Sequence, residues 1–254
     1  MSGLEITRSP AADVAYGLLS QVDLGADAAN LFAGGTQPPW AGPLRIAYRT
    51  APGRLSLQVV GLWHDEVDAL RAALRDGPPG LQDPEGRRLA SAFVDAIDRF
   101  GEGLVCAPDE HARRRDAFEA AVGEDLRRLR AALWTDTAEF PALRLVDCAA
   151  LGTAGRATWA GDVHVVAISL DRDPVAALMQ AVHEQVHAVT DPPASAMHGR
   201  ATERDAEGYA MHARIEDDAI AFGRDLIARV TPRHAEAYAR WISDATCTTG
   251  PAKP

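Results

Sequence analysis

Two histidines and a glutamate in the segment 183–187 are the residues of this chain best suited to metal chemistry. His183 and His187 are four positions apart, and Glu184 directly follows the first of them. On an α-helix, positions four apart lie about one turn apart on the same face, so two imidazole nitrogens can bind one zinc ion at about 2.0–2.1 Å. Glu184 then remains free to act on a water held by that ion. This spacing predicts metal-assisted attack by water.

The residues around this segment predict a helix with one apolar face. Asp173 has a side chain suited to a helix N-cap, and Pro174 suits the first helical position. Six apolar residues then follow at helical spacing: Val175, Leu178, Met179, Val182, Val186 and Val189. They form a stripe about 100° wide with both histidines at its border, where an ion can be held by a core and reached from a cleft. Two histidines without a role would more often lie opposite such a stripe, so a metal site is favoured over that alternative.

A catalytic zinc ion usually takes three protein ligands, so a third must come from elsewhere in the chain. Asp191-Pro192-Pro193 ends the first helix, and Thr202-Glu203-Arg204-Asp205 resembles a capping box that opens another. In that second helix five residues share a face, namely Ala206, Tyr209, Ala210, Ala213 and Ile220. Glu207 lies at the edge of this face, as the histidines lie at the edge of theirs, and is the predicted third ligand.

Other polar residues nearby allow more than one interpretation. Glu203, one turn before Glu207, is either the ligand itself, a residue that orients it, or an exposed carboxylate at the helix start. Asp205 is interpreted as a cap, and His198 in the connecting loop as a surface histidine in preference to a ligand or lid residue. The run 216–218 is interpreted as a solvated acidic face, although like charges on a helix sometimes signal a second cation.

The spacing of these residues resembles that of a known enzyme family. HExxH followed by a helix-borne glutamate 20 positions after the second histidine is similar to the gluzincin branch of zinc metallopeptidases. The run 187–191, His-Ala-Val-Thr-Asp, is similar to the thermolysin-type active-site helix. The run 207–210, Glu-Gly-Tyr-Ala, resembles the Glu-Gly-Phe-Ala segment of zinc aminopeptidases. These matches cover roughly residues 163–212, which is under a quarter of the chain.

The resemblance implies that His183, His187 and Glu207 bind zinc and that Glu184 is the general base. Family members also supply a Tyr or His that stabilises the oxyanion, for which Tyr209, His212 and His198 are the candidates. The segment by which aminopeptidases capture a free amine is not evident here. A metzincin is disfavoured because Pro193 occupies the position of its third ligand. A peptide deformylase would take a cysteine upstream of its HExxH helix, for which Cys148 is available, but the flanking deformylase motifs are missing.

Composition excludes several other classes of function. The chain has 254 residues, a net charge of −10 and a pI near 5.2, which argues against nucleic acid or an anionic membrane as the main partner. Neither a signal peptide nor an apolar run approaching 18 residues is evident. Three widely spaced cysteines without a CxxC pair are consistent with a reducing compartment. We therefore expect a cytoplasmic protein; its oligomeric state does not follow from the sequence.

The predicted fold is α+β and mostly helical, with a zincin-like catalytic core that contains a small β-sheet and the HExxH helix. Residues 1–140 form a helical N-terminal region that shapes the cleft, 141–244 form the metal-binding core, and 245–254 form a flexible tail, unless the whole is one continuous domain. The predicted elements are a helical stretch from Ser9-Pro10 to about Phe32, a β-hairpin of Leu44–Arg49 with Arg54–Val60, helices near 64–76, 86–102 and 110–134, strands Leu143–Cys148 and Val163–Leu170, and helices near 223–230 and 232–243.

The strand that precedes the HExxH helix has two interpretations. In zincins such a strand commonly borders the cleft and pairs with extended substrate, so by resemblance residues 163–169 do this here. Structurally it is equally well a core strand. The glycines of the preceding connection, Gly152, Gly155 and Gly161, form neither a P-loop nor a GxGxxG after a strand, so nucleotide binding is not supported.

The expected function is zinc-dependent hydrolysis of peptide bonds, with a peptide or peptide-like substrate. One alternative is a peptide-modifying enzyme of a natural-product pathway that binds Fe²⁺ and uses 2-oxoglutarate, since two histidines and a carboxylate suit both metals. A distal histidine in place of Glu207 would favour that alternative. A second alternative is a regulatory or non-catalytic zincin-like module, and a closed site of four ligands would indicate a structural metal.

Overall fold

The structure is a computed structural model that describes residues 4–25, 31, 32, 34, 36–135, 141–190 and 206–248, apart from the side chains of 206–212 and 245–248. It confirms the coarse prediction of a mostly helical α+β chain with a small sheet. Four strands form one mixed sheet in the order β1-β2-β4-β3. They are β1 (Leu4–Arg8), β2 (Ala142–Asp147), β3 (Gly155–Ala160) and β4 (Val163–Ile168).

The sheet confirms two predicted strands and adds two that the sequence analysis missed. β2 and β4 lie where strands were predicted and run parallel, with Ala142 opposite Val163. β1 pairs in parallel with β2, and β3 pairs antiparallel with β4. Because β4 has a neighbour on both sides, the interpretation of residues 163–168 as a core strand is confirmed, and the other interpretation, that they pair with substrate, is wrong. Among the described strands, β3 is the edge strand on that side.

Helices cover both faces of the sheet. On one face an apolar cluster joins Val146, Val165 and Ala167 to the N-terminal helices, which are α1 (Pro10–Leu19), α2 (Ala41–Thr50), α3 (Val67–Asp76) and α4 (Pro84–Phe100). On the other face Leu145, Val166 and Ile168 pack on the remaining helices, which are α5 (Pro108–Leu133), α6 (Pro174–Thr190), α7 (Ala206–Val230) and α8 (Ala235–Thr248). The sheet is thus the middle of three layers.

The predicted hairpin at 44–60 is wrong. Its first strand lies inside α2, and its second is replaced by short 3-10 turns at Arg54–Gln58 and Val60–Trp63. A strand would place Leu44, Ile46 and Tyr48 on one face, but Ile46 is 64% exposed while Leu44, Ala47 and Tyr48 are buried. Burial at positions i, i+3 and i+4 has the period of a helix, and that tertiary burial overrode the apparent alternation.

Further predicted boundaries shift in the structure. The helices predicted near 64–76, 86–102 and 110–134 are confirmed as α3, α4 and α5, and the first helical stretch ends earlier than predicted, at Leu19. The segment 223–230 is the end of α7, and α8 extends to Thr248, so the start of the predicted flexible tail is helical. β1 comes from the predicted N-terminal region and β2 from the predicted core, so the sheet draws on both sides of residue 140. No helix of the described ranges is long and apolar enough to cross a membrane.

Candidate metal site

Helix α6 carries both histidines and forms as the sequence predicts. The carboxylate of Asp173 accepts a hydrogen bond of 2.9 Å from the backbone N–H of Ala176, which caps the helix N-terminus. The predicted apolar stripe is buried, with Leu178, Met179, Val182 and Val186 at most 2% exposed and Val175 and Val189 packed at its ends. Burial of this stripe fixes the rotation of α6 in the layer against the sheet. It therefore also fixes the side of the helix on which the polar residues lie.

The two imidazoles of α6 face one another. The Nε2 atoms of His183 and His187 are 3.1 Å apart, and the ring planes are nearly perpendicular. His183 is buried, whereas His187 is partly exposed. Two ring nitrogens at this distance either share one proton or bind one ion, because two lone pairs would repel each other.

A carboxylate from α7 completes the group. Glu216 Oε2 lies 3.2 Å from His183 Nε2, and Glu216 Oε1 lies 3.8 Å from His187 Nε2. One ligand atom of each residue falls within 4.8 Å of those of the other two. Glu216 retains 36% exposure of its side chain, so the group lies between the buried layer and the solvent.

The spacing of these atoms fits a divalent ion. In a tetrahedral zinc site with bonds of about 2.0–2.1 Å, neighbouring ligand atoms are about 3.4 Å apart. The two Nε2 atoms are 3.1 Å apart and Glu216 Oε2 is 3.2 Å from that of His183, both close to this value, while the other carboxylate oxygen, Oε1, is 3.8 Å from His187 Nε2. Two neutral nitrogens and one carboxylate also match the ligand types that catalytic zinc and non-haem iron(II) take, with positions left for water or substrate.

Glu216 is not among the ligands predicted from the sequence. Asp217 and Asp218 are exposed, as the interpretation of 216–218 as a solvated face expected, but Glu216 lies against the histidines, so for this residue the interpretation is wrong. The inward face of α7 includes Ala219, Gly223, Leu226 and Ile227, whereas Ala213, predicted to face inward, is exposed. Glu216 continues this i, i+3, i+4 series. The series is not evident from the sequence when 223–230 is predicted to be a separate helix, because Glu216 and Leu226 then belong to different elements.

The other predicted site residues lie where the structure gives no side-chain description. Glu207, Tyr209 and His212 belong to the first two turns of α7, whose side chains are not described, and their roles stay predictions. His198, Glu203 and Asp205 lie outside the described residues. Cys148, the counterpart of a deformylase cysteine, is buried in the cluster on the opposite face of the sheet from α6.

Glu184, the predicted general base, belongs to α6, and its side chain is buried against β3. Its Oε1 accepts a hydrogen bond of 2.8 Å from Gln180 Nε2, one turn earlier on the helix. A Cβ built on Gly155 of β3 would lie 2.3 Å from the same oxygen, so the strand backbone comes directly against the carboxylate. The edge strand and the helix with the histidines thus meet at Glu184.

Aromatic residues of α8 support the back of the site. The ring of Trp241 lies 5.1 Å from that of His183, and Tyr238 stacks on Trp241 with ring centroids 5.5 Å apart. Burial raises the pKa of the Tyr238 hydroxyl, and the nearby charge of Arg224 opposes this while Glu216 adds to it. Within the described part of the chain, His183 Nδ1 has no hydrogen-bond partner, so the imidazole is positioned by packing and by its Nε2 contacts.

A second buried polar cluster holds the turn that leads into α6. At the end of β2, Asp147 accepts hydrogen bonds from Arg114 Nε at 2.9 Å and from the backbone N–H of Leu170 at 3.0 Å. His111 Nδ1 lies 3.2 Å from the same carboxylate. These contacts join α5, β2 and the segment before α6.

Comparison of the chain with models of known protein families, with curated protein sequences and with solved structures gives no match.

Proposed function

We propose that this protein is a metal-dependent hydrolase that cleaves peptide bonds with an activated water. The observation that supports this most directly is the convergence of His183, His187 and Glu216 on one point, with a buried glutamate beside the first histidine. Two imidazoles and one carboxylate supply three ligands from two helices. A bound zinc ion would lower the pKa of its water from about 15.7 to near 7 and polarise a carbonyl.

In this reaction the chain's own residues have separate roles. His183 and His187 bind as neutral imidazoles, and Glu216 brings one negative charge to the site. Glu184 takes the proton of the attacking water on its carboxylate and then passes it to the leaving amine. Because Glu184 is largely shielded from solvent, the proton is exchanged with the reacting groups in preference to bulk water.

The position of β3 supports a peptide as the substrate. Among the described strands β3 pairs only with β4, so its other edge has no strand partner in that part of the chain. An extended peptide that adds to such an edge is held by its backbone, whatever its side chains. Gly155 brings this strand against Glu184, so a peptide paired there would lie beside the proposed base.

The same three ligands also suit iron(II), which keeps the peptide-modifying oxygenase as the second candidate. Metal analysis after anaerobic purification separates the two. Zinc near one equivalent with no response to 2-oxoglutarate supports the hydrolase, whereas iron with 2-oxoglutarate turnover supports the oxygenase.

Replacement of the proposed base tests the hydrolase directly. We expect Glu184→Gln to bind zinc as the wild type does but to cleave a mixture of fluorescence-quenched peptides at least about a hundredfold more slowly, since proton transfer contributes about 10²–10⁴-fold. Zinc content and peptide turnover are measured on the same preparations. Full turnover in Glu184→Gln would rule out this residue as the base, and zinc binding without turnover in the wild type would indicate a structural or regulatory site.

A further inference from the structure

Glu184 is held from two sides by residues of different elements. On α6, the carboxamide of Gln180 donates its hydrogen bond of 2.8 Å to Oε1. On β3, a Cβ at Gly155 would lie 2.3 Å from that oxygen and 2.6 Å from Gln180 Nε2. The side chains of Gln180 and Glu184 therefore fill the space that a side chain at residue 155 would need.

This arrangement distinguishes the two carboxylate oxygens. Gln180 is 5% exposed and Glu184 is 9% exposed, so the hydrogen bond is shielded from water. A hydrogen bond to a charged group is stronger than one between neutral groups. In the described part of the chain Oε2 has no hydrogen-bond partner. Oε1 therefore carries the hydrogen bond from Gln180, and Oε2 is the oxygen left to exchange a proton in the proposed reaction.

We propose that Gln180 and Gly155 are positioning residues for Glu184: Gln180 holds Oε1 by its hydrogen bond, and the absent Cβ of Gly155 leaves room for the carboxylate against the edge strand, so that Oε2 is the oxygen that acts as the base. This inference rests on the proposed function, because it gives both residues a role through the general base of that reaction. Neither residue belongs to the HExxH pattern or to the three proposed ligands.

A simpler explanation must be distinguished from this one. Gln and Glu side chains four positions apart stabilise many helices slightly, without any part in catalysis. A bond of that kind predicts a small loss of stability on its removal and no change in turnover. The positioning role predicts a lower kcat with little change in KM, because orientation of the base matters in the transition state.

Two variants perturb Glu184 from opposite sides. Gln180→Leu removes the hydrogen bond from within α6. Gly155→Ala places a methyl group 2.3 Å from Oε1, and the atoms that must yield are the ends of two flexible side chains and not backbone, so we expect the variant to fold. If Gln180→Leu does not fold, the kinetics of Gly155→Ala test the positioning role without it.

The helix also offers a matched control. Gln185 is buried at 2% exposure, but its Nε2 donates to the carbonyl of Ala181 on its own helix at 2.9 Å. Gln185→Leu removes a buried carboxamide of the same size from α6 without touching Glu184. Its effect on stability gives the baseline for the loss of any buried glutamine at this place.

The measurements are kcat and KM on a quenched peptide that the wild type cleaves, and the visible spectrum of the cobalt(II)-substituted protein. We expect Gln180→Leu and Gly155→Ala to lower kcat about ten- to hundredfold with KM within about twofold. Their cobalt spectra should shift towards that of Glu184→Gln, while Gln185→Leu keeps the wild-type spectrum and kcat.

The outcomes separate this inference from the proposed function. If Glu184→Gln changes both kcat and the cobalt spectrum while Gln180→Leu and Gly155→Ala change neither, the positioning role is wrong and the hydrolase stands. If Gln185→Leu lowers kcat as much as Gln180→Leu, the effect is one of stability and the inference also fails. If the wild type binds no cobalt and cleaves no peptide, the proposed function fails, and the inference fails with it.

Discussion

The Nε2 atoms of His183 and His187 are 3.1 Å apart. The structure of the site depends on which carboxylate joins them. Glu207 and Glu216 are nine positions apart on α7, which is two and a half helical turns. Positions at that spacing lie on opposite sides of the helix axis and about 13.5 Å apart along it. One ion cannot be bound by both, so the two assignments exclude each other.

Removal of each carboxylate in turn tests these assignments. We expect Glu216→Gln to weaken zinc binding by at least about a hundredfold, since loss of a direct ligand costs more than the 10–100-fold typical of outer partners. Competition with a chromophoric chelator measures this affinity. Asp217→Asn is the control, because Asp217 is exposed and adjacent on the same helix. Weakened binding in Glu207→Gln with wild-type affinity in Glu216→Gln would restore the assignment from the sequence.

Asp13 of α1 is a buried carboxyl whose ionisation opposes folding. It is 3% exposed, and burial raises its pKa from 3.8 to about 6, although a hydrogen bond from the backbone N–H of Cys106 partly offsets this. The folded protein therefore holds the Asp13 proton more tightly than the unfolded chain does. This contribution to stability is complete below pH 3.8 and is lost as the pH rises through 6.

Asp13→Asn should remove that pH dependence. The pKa change is about 2 units, 6 minus 3.8, so the wild type should lose about 2–3 kcal/mol relative to the variant between pH 4 and pH 7. Urea unfolding of both proteins at four pH values in this range measures the difference. Curves that stay parallel across the range would contradict the assignment of this titration to Asp13.

At the scale of the elements, helix α8 packs behind α6 through an aromatic residue with an unsatisfied group. Tyr238 is 1% exposed, and its hydroxyl has no hydrogen-bond partner among the described residues. The oxygen lies against α7, where a Cβ at Gly223 would be 2.3 Å away. Tyr16 of α1 is equally buried, but its hydroxyl donates to the carbonyl of Gln58 at 2.6 Å.

These two tyrosines form a matched pair. We expect Tyr238→Phe to leave the free energy of unfolding unchanged or to raise it by about 1 kcal/mol, because it removes an unpaired buried hydroxyl. Tyr16→Phe should lower it by about 1–3 kcal/mol, since the carbonyl of Gln58 loses its donor. Denaturant unfolding compares the two with the wild type. Equal losses in both variants would mean that the Tyr238 hydroxyl has a partner.

Element boundaries show where sequence patterns suffice and where they do not. The start of α6 is predictable, since Asp173 and Pro174 cap and begin a helix through contacts within one turn. The helical nature of 41–50 is not, because Leu44, Ile46 and Tyr48 alternate as a strand would, and only burial of Ala47 against other elements decides the period. Gly223, where a separate helix is predicted to begin, lies inside α7, and the approach of Tyr238 leaves no room there for a side chain.

Over the whole molecule, a buried charged group links the N-terminal helices to the layer with the candidate metal site. Arg114 of α5 reaches both Asp147 at the end of β2 and the thiol of Cys106, which lies 2.8 Å from its Nη2. The backbone N–H of Cys106 in turn donates to Asp13 of α1. Asp147 has no exposed side-chain surface, so its carboxylate is satisfied by its contacts with Arg114, His111 and the Leu170 N–H.

Arg114→Met should therefore destabilise the whole fold. The variant leaves the Asp147 carboxylate buried with one cation fewer. Removal of one partner of a buried ion pair lowers the free energy of unfolding by about 3–5 kcal/mol. Arg240→Met is the control, since Arg240 pairs with Glu236 on the surface and its loss should cost less than about 0.5 kcal/mol. Thermal unfolding of both variants gives the comparison. Similar melting temperatures for the two would contradict a structural role for Arg114.

The sequence by itself determined the features that depend on neighbours along the chain. His183, Glu184 and His187 share a helix because the helical period places positions four apart on one face, and the stripe from Leu178 to Val186 buries that helix. The two central parallel strands and α3 to α5 likewise follow from local periodicity and capping.

The tertiary structure alone decided the partners of those residues. Which of several acidic residues on α7 meets the imidazoles depends on how that helix is rotated against α6, and this rotation is set by the packing of Ala219, Leu226 and Ile227. The order of the strands, which places β3 at the edge and Gly155 against Glu184, depends in the same way on contacts between residues distant in the chain. Such contacts leave no periodic signal in the sequence, because each depends on the packing of both elements that it joins.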